Sequence, residues 1–437
     1  MRIITLPLFL VLVSSLGGAT DFSSSKPLLG HEGEVLNPPL QRIDVNESEA
    51  GHIPDLNKTD WTVAVWNFPA WNPGGKHWPE LAEQKPLCIP LLYDSKDPEV
   101  RYRGTPYYRQ ADPRVMDWHI KWMRDAGINL VMFDWYPSES REAFDNSPRH
   151  RHINDSIELG FLRKPYTGAA PVQTNPYAGK IKFVAMWTNH GNAWIPKGTM
   201  EYACENFLNQ PNYYRVDGKP LVIIHAPGIL REEHGGEGND ARKMDRLRDW
   251  VLEQRAIAKS YGHDEIFLTL GSIFPQHSAG FRDIGFDAAT NYVTHALNEL
   301  STQRPVRKQL KDGSFREGVI IEADYESVMI PSMKKHWDAM YAVWGAQGFF
   351  PTVTQREDWR HWHPQSRIYY YHSGNPGLYA QALQLAKDGV EKHGGRKFIT
   401  VGIWNEFYEG AYLEPDLKYG FEYLRAIHSV FGADAQH

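Results

Sequence analysis

Two glutamates three residues apart, Glu406 and Glu409, follow an apolar run of Ile399, Val401, Ile403 and Trp404. The run reads as a buried strand, and it stops at Asn405 and the first acid. Carboxylates so placed could face the same side and perturb each other's ionisation, one held protonated while its neighbour stays charged. Glycosidic-bond cleavage needs such a pair: one group exchanges a proton with the leaving oxygen, the other acts as base or nucleophile. The plain alternative is that one acid caps the following turn or pairs with an arginine. Glu414 and Asp416 read as caps for a last helix, with Pro415 near its first turn.

A pair of acids needs a scaffold, and the chain offers a repeating one. Strand-like runs occupy 61–68, 128–136, 182–189, 220–226, 266–272, 287–292, 349–354 and 398–406, the sixth with the least apolar signal. Most are continuously apolar, as strands buried on both faces are. Between several lie helical patterns: Val115, Trp118 and Trp122; Met244, Leu247, Val251 and Ala258; Leu417, Phe421, Leu424 and Ile427. Asp217-Gly218 marks a hairpin before the fourth run. The pattern predicts an α/β chain folded as a (β/α)8 TIM barrel, one catalytic domain over 61–437. A doubly wound open sheet is the competing architecture, and no Gly-rich phosphate loop supports it.

In such barrels chemistry sits at the C-terminal strand ends. Here those ends carry Asn67, Asp134-Trp135-Tyr136, Trp187-Thr188-Asn189-His190, His225, Asn291-Tyr292, Thr354-Gln355-Arg356 and Asn405-Glu406. Strand ends are also simply where polarity resumes, so this recurrence supports a site without proving one. The 15 tryptophans exceed average usage, and indole faces pack well on the C–H face of a sugar. Each tryptophan alone could equally be core. The expected substrate-binding set is Trp66, Asp134, Trp135, Tyr136, Trp187, Asn189, His190, Tyr292, Trp404 and Asn405, with Glu406 and Glu409 catalytic. Trp71 and Trp194 cluster near the same ends, and His225 could equally be a satisfied core histidine.

Other chemistries find less support. The pairs His150/His152 and His361/His363 lack complementary Cys or carboxylate spacing, so no metal is expected, and no cofactor fingerprint occurs. No Gly-x-Ser-x-Gly elbow marks a serine esterase. A formal charge of -6 gives no reason to expect nucleic acid as a partner. Cys88 and Cys204 exclude a disulfide framework and leave one bridge or two buried thiols equally open. Met1-Arg2, the apolar stretch 3–16 and Gly17-Gly18-Ala19 read as a signal peptide over 1–19. A flexible polar leader is expected over 20–60, and a secreted or periplasmic protein with no integral membrane segment after signal removal. Nothing in the sequence sets an oligomeric state.

The stretch Asn405-Glu406-Phe407-Tyr408-Glu409-Gly410-Ala411-Tyr412-Leu413-Glu414-Pro415-Asp416, then Tyr419-Gly420, resembles the C-terminal signature of WbsX-type proteins. Those are relatives of the endo-α-mannosidases of glycoside hydrolase family 99, whose motif is Glu-Trp-His-Glu-Gly. Glu406, Glu409 and Gly410 match it, while Phe407 and Tyr408 replace its Trp and His. Gly127-Ile128 leading into Phe133-Asp134-Trp135-Tyr136 resembles the family's second strand. The resemblance implies a barrel hydrolase acting with retention through a 1,2-anhydro sugar. Glu406 would deprotonate the sugar 2-hydroxyl, and Glu409 would serve as general acid and then base. The departures at 407 and 408 bear on α-mannoside specificity, since motif neighbours shape a sugar site. The overall expectation is a secreted, endo-acting glycoside hydrolase on a polysaccharide or glycan. A WbsX-type glycosyltransferase and a non-catalytic glycan-binding barrel are the alternatives.

Overall fold

The apolar runs become a row of parallel strands in the computed structural model, which describes residues 28–30, 59–72, 108–137, 154–163, 181–189, 195–235, 242–294, 301–309, 313–360, 367–416 and 418–432. The expected signal peptide lies outside the described residues, as does the leader apart from β1 (Leu28–Gly30) and residues 59–60. The first sheet uses β2 (Thr62–Asn67), β3 (Leu130–Trp135) and β4 (Lys182–Trp187). A short β5 (Arg215–Val216) folds back antiparallel on β6 (Lys219–Ile224), followed by β7 (Phe267–Leu270) and β8 (Ala288–Ala289). Asp217 and Gly218 join β5 to β6 with φ of 51° and 79°, the left-handed pair that a two-residue hairpin turn requires.

A second sheet takes β9 (Thr302–Gln309), β10 (Phe315–Ala323), β11 (Glu357–Asp358) and β12 (Ile368–His372). The chain then returns to the first sheet with β13 (Phe398–Ile403) and ends its strands in a hairpin of β14 (Asn405–Glu406) and β15 (Ala411–Tyr412).

The first sheet runs β13-β2-β3-β4-β6-β7-β8, every neighbouring pair parallel. Seven of the eight expected runs are therefore strands. The run 349–354 is not: it makes isolated parallel bridges, Ala289↔Phe349 on one side and Thr352↔Thr400 on the other. Pro351 sits between those bridges and has no N–H to give a ladder. The expected eight-stranded barrel is thus found as a parallel α/β sheet of seven strands, whose ends meet across bridges and not a continuous ladder.

Helices α1 (Pro113–Asp125), α2 (Thr199–Ala203), α3 (Pro227–Gly235), α4 (Lys243–Ser260), α5 (Pro275–Asp283), α6 (Ile330–Trp344), α7 (Pro376–His393) and α8 (Glu422–Phe431) alternate with these strands. The periodic positions Val115, Trp122, Leu247, Val251, Ala258, Phe421, Leu424 and Ile427 are buried as expected, whereas Trp118 is 40% exposed. Phe133, Phe161, Phe183 and Phe207 pack ring against ring on the face of the sheet that meets the helices. Alternation along β3 then turns Met132 and Asp134 to the opposite, inner face.

The second sheet, in the order β1-β9-β10-β12-β11, has its own small core of Val306, Ile320, Trp359 and Tyr369. Its strands leave the chain just after the C-terminal end of β8 and just after 349–354, so it stands at the same end of the first sheet as the acids. Cys204 is a buried thiol pushed up to about 12 by burial, while Cys88 lies outside the described residues. Among the described residues no helix is long and apolar enough to cross a membrane.

Candidate active site

Glu406 closes β14, and the chain then makes a single tight turn, Phe407–Glu409, before Gly410 swings it into β15. The aromatic pair Phe407 and Tyr408 is buried and anchors that turn. The Trp71 ring packs on them, with centroids 4.8 Å and 5.2 Å away, and its indole N–H donates to the Asn405 carbonyl at 2.7 Å. Gly410 has φ +61°, and a Cβ there would lie 2.8 Å from the Asp358 amide nitrogen, so both conformation and space demand glycine.

Three strand ends deliver polar groups to the acids. Tyr292, three residues past β8, donates its hydroxyl to Asp134 Oδ2 at 3.1 Å. Its ring lies 5.5 Å from that of Trp66 and meets His225 edge-on at the same centroid distance. The Trp66 indole N–H donates to the Asn291 carbonyl at 3.1 Å. Burial is the main force raising the Glu406 carboxyl well above the usual range, and the charges of Glu409 and then Asp134 raise it further. Asp134 is likewise raised well above its ordinary value by burial first; the Tyr292 hydroxyl opposes this, and Glu409 adds to it. The Tyr292 phenol is raised by burial and by Asp134, Glu406 and Glu409, with Tyr136 contributing. Glu409 thus acts on Asp134, Tyr292 and Glu406, and Asp134 acts on Tyr292 and Glu406. Buried carboxyls with raised affinity for protons, beside a charged neighbour, are equipped to exchange protons with a bound ligand.

The structure sorts the other expected residues by where they stand. Trp66 pairs with Met132 across the ladder and so shares the inner face with Asp134. Trp135 stacks on Tyr202 at 5.5 Å and 15°, with Phe207 edge-on, which sets it on the helix side. Trp187 is the register partner of Trp135 and goes with it. Trp404 meets His119 of α1 at 5.5 Å. None of these four indoles is more than 2% exposed. Asn189 spends its carboxamide on the Ala226 backbone, accepting from N at 2.8 Å and donating to O at 3.0 Å. The Asn405 Oδ1 accepts from the Phe68 amide at 2.9 Å. His190, Trp194 and the paired histidines at 150, 152, 361 and 363 lie outside the described residues.

The capping expectation divides. Asp416 Oδ1 does accept the Lys418 and Tyr419 amides, at 2.8 Å and 2.6 Å, although α8 begins only at Glu422. Glu414 caps nothing: it is buried, receives the Tyr108 hydroxyl at 2.9 Å and lies 3.4 Å from His119 Nε2. Trp71 and His225, both read at strand ends but left out of the expected binding set, adjoin these residues, Trp71 against the 407–409 turn and His225 against Tyr292. Among the described residues no group of three or more His, Cys, Asp or Glu side chains is placed to hold a metal ion.

Fold and site together define an α/β scaffold with acids at its strand ends. A solved "glycoside hydrolase-like protein" matches 91% of this chain and 98% of its own, with a TM-score of 0.52 at 17% identity. The family described as "Glycosyltransferase WbsX" matches residues 67–427, and the chain belongs to that family. Among curated relatives, the uncharacterized protein WxcX of Xanthomonas campestris pv. campestris is 24% identical over 376 residues, 82% of this chain and 46% of the relative. The mouse glycoprotein endo-alpha-1,2-mannosidase is 26% identical over 211 residues, 44% of this chain and 40% of the relative. The resemblance read from the Glu406–Gly410 motif, to WbsX-type proteins and endo-α-mannosidases, agrees with these similarities. The chain spans about half the length or less of the curated relatives it matches.

Proposed function

We propose that the protein is an endo-acting glycoside hydrolase of polysaccharides or glycans, with Glu406 and Glu409 as its acid–base pair. The observation that carries this reading is the convergence of Asp134, Tyr292 and the Glu406–Glu409 turn from separate strand ends, with Tyr292 donating to Asp134 at 3.1 Å and burial raising both Asp134 and Glu406. We take 349–354 as the seventh stave of a (β/α)8 barrel whose mouth holds the site. Met1-Arg2, the apolar 3–16 and Gly17-Gly18-Ala19 support export of the protein to a secreted or periplasmic location.

The proposed reaction proceeds with retention. Glu406 takes the proton of the sugar 2-hydroxyl as O2 attacks C1; the C1–O bond breaks, and the leaving oxygen takes a proton from Glu409. Water then gives a proton to Glu409 and attacks C1, and O2 recovers its proton from Glu406. Burial suits Glu406 to the first step, because a carboxylate that holds its proton tightly is the stronger base once ionised. Glu409, only half-buried, can exchange its proton with solvent. The first step requires Glu406 ionised and Glu409 protonated once the sugar is seated. Tyr292, adjoining Asp134 on the inner face, forms the proposed wall against the sugar, with the buried Trp66 packed behind it.

A glycosyltransferase is the second reading, favoured by the description of the family to which the chain belongs. Release of reducing ends across α-mannans, other neutral glycans, and sulfated or uronic polysaccharides separates the two. Hydrolysis that disappears in both Glu406→Gln and Glu409→Gln is the expected result. Transfer from a nucleotide sugar without hydrolysis would replace the hydrolase reading, and activity surviving both substitutions would remove the pair from it.

A further inference from the structure

Residues 355–358 run along the acid-bearing hairpin and touch it at three places. Gln355 meets its entry: Nε2 donates to the Ile403 carbonyl at 3.0 Å. Asp358 meets its turn, where the Asp358 amide nitrogen would stand 2.8 Å from a Cβ on Gly410. Between them Arg356 meets its far strand. The guanidinium lies 4.2 Å from the centroid of Tyr412, 4.9 Å from Tyr419 and 5.0 Å from Tyr423, while Nη2 donates to Asp416 Oδ2 at 2.8 Å. Both members of that ion pair are buried, with 10% and 2% of their side chains exposed.

Tyr412 is the cross-strand partner of Asn405, and Ala411 of Glu406, so whatever fixes Tyr412 fixes the strand that carries the first acid. The turn bearing Glu409 is the only covalent link between the two strands. The hairpin itself has two residue pairs, too few to hold its own geometry in water. A planar cation held among three rings and one carboxylate supplies the missing rigidity, with an orientation that a flexible ammonium does not match.

We infer that Arg356 is a positioning residue for the acid pair: through Tyr412 and Asp416 it sets the separation of Glu406 from Glu409. The inference rests on the acid–base role proposed for those glutamates, but its test need not. Glu406 faces Glu409, Asp134 and the phenol of Tyr292, itself within reach of Tyr136. If the hairpin loosens, Glu409 draws away and water reaches the site, and both changes lower the affinity of Glu406 for its proton.

The experiment follows carboxyl carbons by NMR in the full chain labelled at glutamate, with the Glu406 resonance assigned by its loss in Glu406→Gln. Wild type, Arg356→Met and Arg356→Lys are titrated beside Arg255→Lys. Arg255 serves as control because it holds a separate ion-pair cluster with Glu265 and Asp287, at the far end of β7. The expected result is a fall in the Glu406 midpoint of about one pH unit in Arg356→Met, a smaller fall in Arg356→Lys, and none in Arg255→Lys. Should Arg356→Met not fold, Arg356→Lys alone carries the comparison. On a hydrolysed glycan, kcat should drop about tenfold with KM nearly unchanged. A Glu406 midpoint identical in wild type and the folded Arg356 variants would overturn the inference. Absence of any hydrolysis by wild type would count against the hydrolase reading and leave the titration comparison standing.

Discussion

The Tyr292 hydroxyl reaches Asp134 Oδ2 at 3.1 Å and so ties the segment after β8 to the end of β3, across the inner face of the sheet. That bond works against the burial that otherwise raises Asp134. It leaves one carboxylate of the site partly compensated while Glu406 is not. The same phenol ring borders Trp66 and His225, so a single residue joins four strand ends.

Tyr292→Phe removes the bond and keeps the ring. Hydrogen bonds to charged groups contribute about 1.5–3 kcal/mol, which corresponds to roughly ten- to a hundredfold in kcat/KM if the bond persists through the reaction. Asp134 should then hold its proton to higher pH, shifting the acidic limb of the activity profile upward. A kcat/KM within twofold of wild type across the profile would count against this role.

Glu406 also predicts a pH dependence of stability. Its folded-state affinity for protons is raised, so its stabilising contribution is complete below the ordinary glutamate range. That contribution is lost as pH climbs from there through the raised value. Glu406→Gln carries no such loss. Thermal melts at a series of pH values should show the variant gaining on wild type above pH ~5, with the gain levelling off once Glu406 is ionised. Parallel curves for the two proteins would contradict the burial of an ionisable group here.

Gly410→Ala tests the turn. Its φ of +61° and the 2.8 Å approach to Asp358 both resist a side chain. A strained left-handed residue costs on the order of 1–3 kcal/mol, and relief requires the turn to move away from β11. The variant should melt lower and lose most activity, whereas the mild Gly389→Ala, on α7 where a Cβ meets nothing within 4 Å, should do neither. Denaturant midpoints and turnover together decide it.

Tyr108→Phe addresses the buried acid behind the site. Glu414 would keep its burial and lose the hydroxyl that donates to it at 2.9 Å. A buried acceptor left without its donor costs about 1–3 kcal/mol, so the urea midpoint should fall clearly. Turnover of the remaining folded protein should change less than in Tyr292→Phe.

Much of this was legible from residue order. Runs such as 128–136 and 182–189 are long, apolar and β-branched or aromatic, and they become β3 and β4 with little ambiguity. Glu406 and Glu409 stand out in the sequence because a strand ends on them. Tertiary placement was less legible. Trp135 and Asp134 are neighbours in sequence, yet alternation sends one to the helices and the other to the site. Pro351 silently removes a ladder from a run that otherwise reads as a strand. The second sheet went unread although Asp312-Gly313 precedes Val319-Ile320-Ile321 and Ile368 opens a run of three tyrosines, because the eight-strand pattern already accounted for the fold. Arg356 was noted only as a polar strand end; its partners Tyr412, Asp416, Tyr419 and Tyr423 come together only in three dimensions.

Leu28–Gly30 pairs antiparallel with Val306–Lys308 and thereby occupies the outer edge of β9. A chain begun at Thr59, trimmed to its obvious domain, would leave those N–H and C=O groups facing water in a row. An open edge of that kind recruits any extended segment it meets, most readily the same edge of a second molecule. Leu28–Gly30 thus covers the Val306–Lys308 part of that edge, and a chain shortened past it should associate more readily.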